Sequence, residues 1–203
     1  MKITAIKAAV KTQGRYNIFV DGAYNFSLDE FQLIHLGVRL GREYTEAELE
    51  QLKEESVFGK AYARALEYIM RRPRSEKELR DYAWRKQWDP ALADRVIERL
   101  RAKGHVDDAT FAQAWVRHRA LGKPISTRKL QMELRQKGVA DEHVTAALAV
   151  DKDFDEKDAL RRLVAKKRAR YPDRQKFLAY LMRQGYGYDD VKSAVDGTED
   201  EEL

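Results

Sequence analysis

Cysteine is absent from this chain of 203 residues, and other features that would place it in a chemical class are scarce. Without cysteine there is no disulfide framework, no thiolate nucleophile and no Cys-ligated metal. No run approaches the roughly 18 consecutive apolar residues of a membrane span, and the first residues, Met-Lys-Ile-Thr, lack the apolar block of a signal peptide. These absences predict a protein of the cytoplasm.

Catalytic arrangements are missing as well. The four histidines show no metal-ligand spacing, and the glycines lie at expected turns and helix ends rather than in a phosphate-binding loop. Asp107-Asp108 resembles a paired-carboxylate site, but a helix start also needs carboxylates for its cap and dipole. Phe111 and Trp115, four residues apart, are predicted to pack in a core rather than to stack on bases. We therefore expect no enzyme activity, no metal and no cofactor.

Charge is plentiful but uneven. Charged residues make up 36% of the chain, and the formal net charge is +5. Residues 1–60 carry a net charge of −1, residues 61–195 one of +11 and residues 196–203 one of −5. A basic body indicates an anionic partner, such as nucleic acid or an acidic protein groove. The acidic tail at 196–203 is predicted to be disordered; alternatively, it shields the basic surface.

The first 28 residues alternate apolar and polar side chains in three runs, which is typical of β-strands. Asp21-Gly22, between the second and third runs, is a strong signal for a type I′ hairpin. Gln13-Gly14 fits the first turn. The pattern predicts a three-stranded meander, followed by a short helix over residues 29–36 that Gly37 closes.

Capping boxes mark the helix starts that follow. Thr45-Glu46-Ala47-Glu48 predicts a helix over about residues 46–55, and a separate helix is predicted over about residues 57–71. Ser75-Glu76-Lys77-Glu78 begins the next helix. Asp89-Pro90 supplies an N-cap and a first-turn proline for the one after it.

From Pro73 onward the chain repeats its pattern after 51 residues and again after about 47, so that Leu130 and Gly138 match Leu79 and Gln87. This spacing predicts a mainly α fold: three tandem three-helix, helix-turn-helix-like repeats in an elongated curved array, after a small N-terminal β-meander with short helices. The predicted domains are the N-terminal segment 1–56, three-helix repeats at 57–104, 105–152 and 153–195, and the tail at 196–203.

Three stretches carry a resemblance to a known family. They are Arg71-Arg72-Pro73-Arg74-Ser75-Glu76 with Glu78-Leu79; Gly104, Asp107-Asp108, Phe111-Ala112, Trp115-Val116 and Arg117-x-Arg119; and Leu130 with Glu133-Leu134-Arg135-x-Lys137-Gly138. Together they resemble the RecX family of recombinase regulators over about residues 57–195. Two positions depart from its pattern. Gln87 stands where glycine is usual, which would cost a left-handed cap about 1 kcal/mol, and His105-Val106 stands where Tyr-Leu is common.

The resemblance implies a regulator of RecA that is not an enzyme. RecX-like proteins bind RecA, lodge in the groove of its filament on single-stranded DNA, and restrain filament growth, ATP hydrolysis and strand exchange. The implied roles are in homologous recombination, DNA repair and the SOS response. The implied partners are the RecA filament and single-stranded DNA, with any duplex bound without sequence specificity; we expect a monomer and no membrane partner. The alternative is a general nucleic-acid-binding protein that uses its helix-turn-helix-like units without RecA.

Exposed basic side chains are the predicted contacts with these partners. In the densest run, residues 161–170, a helix would place Arg162, Lys166 and Arg170 on one stripe. The competing interpretation is a solvated charged face. Phosphate contacts would make binding strongly dependent on salt. The full predicted set is Arg71, Arg72, Arg74, Arg117, Arg119, Arg128, Lys129, Arg135, Lys137, Arg161, Arg162, Lys166, Lys167, Arg168 and Arg170.

Overall fold

The computed structural model describes residues 1–10, 12–150 and 154–199, which form a small sheet followed by helices. The strands are β1 (Ile3–Ala8), β2 (Arg15–Val20) and β3 (Ala23–Asp29). The helices are α1 (Glu30–His35), α2 (Glu46–Met70), α3 (Glu76–Arg85), α4 (Pro90–Ala102), α5 (Asp108–Ala120), α6 (Thr127–Gln136), α7 (Asp141–Val150), α8 (Glu156–Lys167), α9 (Arg174–Arg183) and α10 (Tyr188–Glu199). The predicted mainly helical class is confirmed. Within the described ranges no helix has the length and apolarity needed to cross a membrane.

The predicted meander is present, with strand order β1-β2-β3 and antiparallel pairing throughout. Asp21 and Gly22 both have positive φ angles, 48° and 87°, as a type I′ turn requires. One face of the sheet is apolar, and its buried side chains, such as Ile18, pack with Leu49 and Leu52 of α2. This core anchors the start of the long helix to the sheet.

A single helix, α2, stands where two were predicted over residues 46–71, so the predicted break near residue 56 is wrong. The residues with weak helix propensity at this point are used for close packing. The Ser56 hydroxyl donates to the carbonyl of Ser27 (2.5 Å), and a Cβ on Gly59 would overlap the side chain of Gln32. Tertiary contacts therefore override local propensity here.

The chain divides into two compact units that alternate along the sequence. The first unit comprises Met1–Arg72 and Gln87–His105, and so contains the sheet, α1, α2 and α4. In it, α4 packs on α2, and the Arg95 guanidinium lies 4.2 Å from the centroid of the Phe58 ring. The second unit comprises Pro73–Lys86 and the chain from Val106 onward. The predicted domain boundaries rest on the sequence repeat and remain a prediction.

The second unit contains two apolar cores. One is formed by α5, α6 and α7 and includes Phe111, which is 5% exposed, with Trp115 packed at its edge. The predicted packing role of these two aromatic residues is confirmed. The other core is formed by α8, α9 and α10 around Phe177. Two successive helix triplets thus each enclose a core.

Helix α10 runs to Glu199, so the predicted disorder of the tail is wrong for residues 196–199. Asp196 forms an ion pair with Arg174 at the start of α9. This pair ties the acidic segment to a basic neighbour, which composition alone could not reveal. Residues 200–203 of the predicted tail lie outside the described part of the chain.

Candidate partner-binding surface

The start of α3 is bonded to α5 and α6 by a group of hydrogen bonds that we call the first joint. Ser75, the buried N-cap of α3, accepts from the N–H of Glu78 (3.2 Å) and donates its hydroxyl to the carbonyl of Lys137 at the end of α6 (2.6 Å). The N–H of Glu76 donates to the carboxylate of Asp108 (2.8 Å). Because a hydroxyl both accepts and donates, Ser75 caps its own helix and binds another.

The same bonds recur at the start of α6 and form the second joint. Ser126 accepts from the N–H of Lys129 (3.2 Å) and donates to the carbonyl of Gln184 at the end of α9 (2.7 Å). The N–H of Thr127 donates to the carboxylate of Glu156 (2.9 Å), as Glu76 does to Asp108. The repeated sequence pattern therefore corresponds to a repeated contact between equivalent helices.

Glycine closes the acceptor helix in both joints. Gly138 has a φ of 78°, and a Cβ there would lie 2.5 Å from the Cβ of Lys77. Gly185 has a φ of 98°, and a Cβ would overlap the hydroxyl of Ser126. Gln87, the matching residue after α3, is exposed and has a φ of 55°, so the left-handed cap is present here although glycine is not. The joints thus require glycine for space as well as for backbone angle.

Asp107 and Asp108 were both predicted to serve the start of α5. Asp107 is its N-cap and accepts from the N–H of Ala109 (2.9 Å), but Asp108 turns to α3 in the first joint. The hydroxyl of Thr110 lowers the pKa of Asp107, whereas burial raises the pKa of Asp108. The prediction is right for Asp107. Asp108 lies in the first turn of α5, as predicted, but its carboxylate caps the start of α3 rather than that of α5. Both carboxylates are bound to backbone N–H groups, as expected of structural residues.

Two of the predicted binding residues stabilise the core and the first joint. The Arg119 guanidinium forms two bonds of 3.0 and 3.1 Å to the Glu133 carboxylate, which also accepts the indole N–H of Trp115 (3.0 Å). The Lys137 ammonium lies 3.2 Å from the Glu78 carboxylate and 4.3 Å from the centroid of the Trp115 ring. Their side chains are only 29% and 19% exposed. Both residues are thus already engaged within the second unit.

Other predicted residues also form ion pairs, and all of these except the pair of Arg74, whose side chain is 14% exposed, lie nearer the surface. Arg71 pairs with Glu67 (2.6 Å), Arg74 with Glu78 (3.9 Å), Arg135 with Asp141 (2.7 Å), and Arg161 and Arg162 both pair with Asp158 (3.6 and 2.9 Å). Lys129 donates to the side-chain oxygen of Gln184 (3.1 Å), Arg168 donates to the carbonyl of Tyr171 (3.1 Å), and Arg72 is exposed. An exposed ion pair contributes at most about 1 kcal/mol to stability. A partner anion that binds these arginines more strongly can therefore displace the carboxylate.

Five predicted residues make no ion pair with any described residue: Arg117, Arg128, Lys166, Lys167 and Arg170. All except the half-buried Lys167 are exposed. The predicted stripe through Arg162, Lys166 and Arg170 is interrupted, because α8 ends at Lys167 and residues 168–170 form a 3-10 turn. A 3-10 turn rotates each residue farther than an α-helix, so Arg170 leaves the line of the other two.

A shallow hollow on the second unit brings Arg162 beside Arg119 and Lys123, which lie about 40 residues earlier in the sequence. It is open to solvent and is lined by Arg119, Lys123 and Arg162 beside Phe154 and Asp155. The sequence prediction included both arginines but missed Lys123, since this residue follows Gly122 in a loop without helical periodicity. It also missed the basic residues of the sheet, because residues 1–60 have a net charge of −1.

Three family models match successive parts of the chain: the regulatory protein RecX N-terminal domain at residues 1–44, the first RecX three-helix domain at residues 61–100, and the second at residues 107–148. The regulatory protein RecX of Listeria welshimeri is 30% identical over 96% of this chain and 74% of its own length. That of Bacillus velezensis is 30% identical over 97% of this chain and 77% of its own.

A solved structure, titled "Crystal structure of regulatory protein RecX", matches with a TM-score of 0.82 and 26% identity, over 96% of this chain and 98% of the other. This chain belongs to the RecX family. RecX proteins are named as regulators, in line with the function class expected from the resemblance. Helices α8 to α10 lie beyond the matched three-helix models, but the second joint binds α9 to α6 as the first binds α6 to α3.

Proposed function

We propose that this RecX protein binds RecA filaments on single-stranded DNA and inhibits filament extension, ATP hydrolysis and strand exchange. Through RecA it would modulate homologous recombination, DNA repair and the SOS response. With the family established, the observation that supports the proposal is the set of exposed cations without ion pairs on the second unit, including Arg117, Arg128 and Lys166. Such cations suit phosphates or acidic side chains along a filament.

Inhibition in this proposal is steric and electrostatic. A helical body that spans successive RecA subunits blocks the addition of subunits or their closure. The two joints support this mechanism, because Ser75 and Ser126 each bond a helix start to the end of the equivalent helix of the next repeat. Helices held in this way resist bending when a filament moves against them.

Sequence-selective binding of duplex DNA by helix-turn-helix units has less support. In that mode the first residues of a recognition helix approach base edges in the major groove. Here α7 begins with Asp141-Glu142, and the first turn of α10 carries Asp189 and Asp190. Carboxylates at these points would repel the phosphates beside the groove. We therefore expect no sequence-selective duplex binding without RecA.

The test is RecA ATPase activity on single-stranded DNA with the RecX protein at sub-stoichiometric concentration. We expect a lower rate and a shorter filament lifetime, and much weaker inhibition by the triple variant Arg117→Glu, Arg128→Glu, Lys166→Glu. A control with three reversed charges elsewhere, Lys53→Glu, Lys103→Glu and Lys176→Glu, should inhibit like the wild type. An unchanged ATPase rate and filament lifetime with the wild type would overturn the function. Equal loss in the two triple variants would overturn the site.

A further inference from the structure

The sheet of the first unit has a second face, opposite its apolar core. Because side chains alternate along strands, Arg15, Asn17 and Phe19 of β2 project away from the buried Ile18. Lys7 of β1 is paired with Asn17. We call Lys7, Arg15, Asn17, Phe19 and Tyr24 the outer sheet face. It combines aromatic and basic side chains.

One of the two aromatic rings on this face is open to solvent, and the other, that of Phe19, is half-buried. Tyr24 is 54% exposed, and its ring lies edge-on to that of Phe19 with centroids 6.1 Å apart. The Lys7 ammonium lies 5.2 Å from the centroid of the Phe19 ring. An exposed ring beside a cation can accept a stacked base while the cation faces a phosphate.

Lys60 of α2 lies near the charge of Arg15, at the other end of the face, and near that of Arg64. The Arg15 guanidinium is fixed by donation to the carbonyl of Ser27 (2.6 Å), and burial lowers its pKa despite the nearby Asp29 carboxylate. The pKa of Lys60 on α2 is lowered by burial and then by the positive charges of Arg15 and Arg64. Lys60 makes no ion pair with the described residues. Like charges held together in this way favour a bound anion.

The hydrogen bond from Ser56 to Ser27 keeps this arrangement in place, because it pins α2 to β3 one helical turn before Lys60. The cation cluster therefore does not depend on flexible side chains alone. Packing of α2 on the strand brings the helix cations to Arg15. An anion at this point would relieve the repulsion that the folded chain otherwise retains.

We propose that the outer sheet face, with Lys60 and Arg64, binds unpaired nucleotides of single-stranded DNA, with a phosphate at the three cations and a base on Tyr24. This inference deepens the proposed function and rests on it only in taking single-stranded DNA as the ligand. Stacking on a ring and a charge contact read no base edges, so binding is tolerant of sequence. An acidic peptide would use the cations but would not need the exposed ring, and the observations favour the nucleotide.

The experiment titrates the full chain with fluorescein-labelled oligo(dT) and follows anisotropy at several salt concentrations. Tyr24→Ala should weaken binding roughly 5-fold or more, with the salt dependence unchanged, and Tyr24→Phe should restore affinity. The double variant Lys60→Gln, Arg64→Gln should reduce the slope of log K against log salt by roughly 0.7 for each lost phosphate contact. The matched controls are Tyr188→Ala, with a similarly exposed ring (53%), and Lys53→Gln, whose lysine pairs with Glu50 on the same helix.

Thermal melting separates this role from a structural one. Removal of a repelled cation should raise the midpoint, so Lys60→Gln is expected to be more stable than the wild type while it binds DNA less tightly. Wild-type binding by the Tyr24→Ala and double variants at every salt concentration would overturn the site. So would a loss of filament binding without a loss of oligo(dT) binding, which would indicate a protein partner. If oligo(dT) binds as expected but RecA ATPase does not change, this site stands and the RecA proposal fails.

Discussion

The two joints of the second unit share their backbone contacts and differ in the charges around them. In the first joint, Lys137 lies between the Glu78 carboxylate and the Trp115 ring. Gln184 takes the matching place in the second joint, where its side-chain oxygen accepts from Lys129 (3.1 Å). The serine cap and the glycine are the constant parts, whereas the surrounding charges vary. We therefore expect the joints to tolerate changes of charge better than changes of backbone or space.

The largest expected effect comes from filling the space at a joint. Gly138→Ala should destabilise the chain by about 2–4 kcal/mol, because left-handed strain adds to overpacking against Lys77. Gly104→Ala is the matched control: its φ is 70°, but a Cβ would meet nothing within 4 Å, so only about 1 kcal/mol is expected. Urea unfolding of both variants gives the difference. Equal losses would show that the joint does not need the space.

The serine hydroxyl is tested by exchanging caps between helices. Asp173, the N-cap of α9, accepts from the N–H of Lys176 (3.1 Å) and makes no joint contact within the described chain. Ser126→Asp keeps a cap but cannot donate to the Gln184 carbonyl, so we expect a loss of about 2–3 kcal/mol. Asp173→Ser should stay within about 0.5 kcal/mol of the wild type. If thermal melting ranks the two exchanges equally, donation by the hydroxyl does not stabilise the joint.

A smaller effect is expected at Gln87, which has the backbone angle of the joint glycines without their crowding. Gln87→Gly should stabilise the chain by about 0.5–1 kcal/mol, since glycine adopts the left-handed conformation without strain. The midpoint of urea unfolding provides the measurement. A lower midpoint would mean that contacts of the glutamine side chain outweigh the strain.

The smallest effect concerns acids with opposite pKa shifts. Asp108→Asn should change stability by less than about 0.5 kcal/mol at neutral pH, since the amide oxygen still accepts from Glu76. Burial raises the pKa of Asp108 above its ordinary value of 3.8, so ionisation of this carboxyl disfavours the folded state at neutral pH. Any gain in stability of Asp108→Asn over the wild type should therefore vanish as the pH falls to 3.8. Asp141 has the opposite shift. Hydrogen bonds from Arg135 lower the pKa of the Asp141 carboxyl, so this carboxylate stabilises the fold at neutral pH.

The pH dependence of Asp141→Asn should therefore have the opposite sign. The stability that Asp141 adds is present above pH 3.8 and is lost as the pH falls through its lowered pKa, so the deficit of the variant should shrink in acid. Thermal melts of both variants at a series of pH values provide the measurement. Parallel curves for the two variants would contradict the assigned causes.

Local signals account for what could be predicted from the sequence. The box Ser75-x-x-Glu78 and the turn Asp21-Gly22 act over two to four residues, and both have the predicted geometry. The second bond of Ser75 could not be predicted, because its acceptor on Lys137 lies 62 residues away. The predicted helix break near residue 56 was wrong for a related reason, because the Ser56 hydroxyl bonds to Ser27, which lies 29 residues earlier in the sequence.

The candidate surface was predictable only as a set of charges. Composition indicates that the body is basic, but the pairing of Arg119 with Glu133 depends on how α5 meets α6. Arg117 lies two residues before Arg119, yet it is exposed and has no ion pair with a described residue. The spacing of the basic residues in the sequence does not indicate which of the two arginines is paired. The outer sheet face was missed because the carboxylates of residues 1–60 mask its cations in a sum of charges.

The joints also bear on the order in which the chain folds. Capping boxes join residues three apart, whereas the joint bonds of Ser75 and Ser126 span 62 and 58 residues. Closing such long loops is slow, so helices should form early and the joints late. Contacts made after the rate-limiting step act mainly on the unfolding rate. The two serines would then govern how long the folded repeats stay together, with little effect on how fast they form.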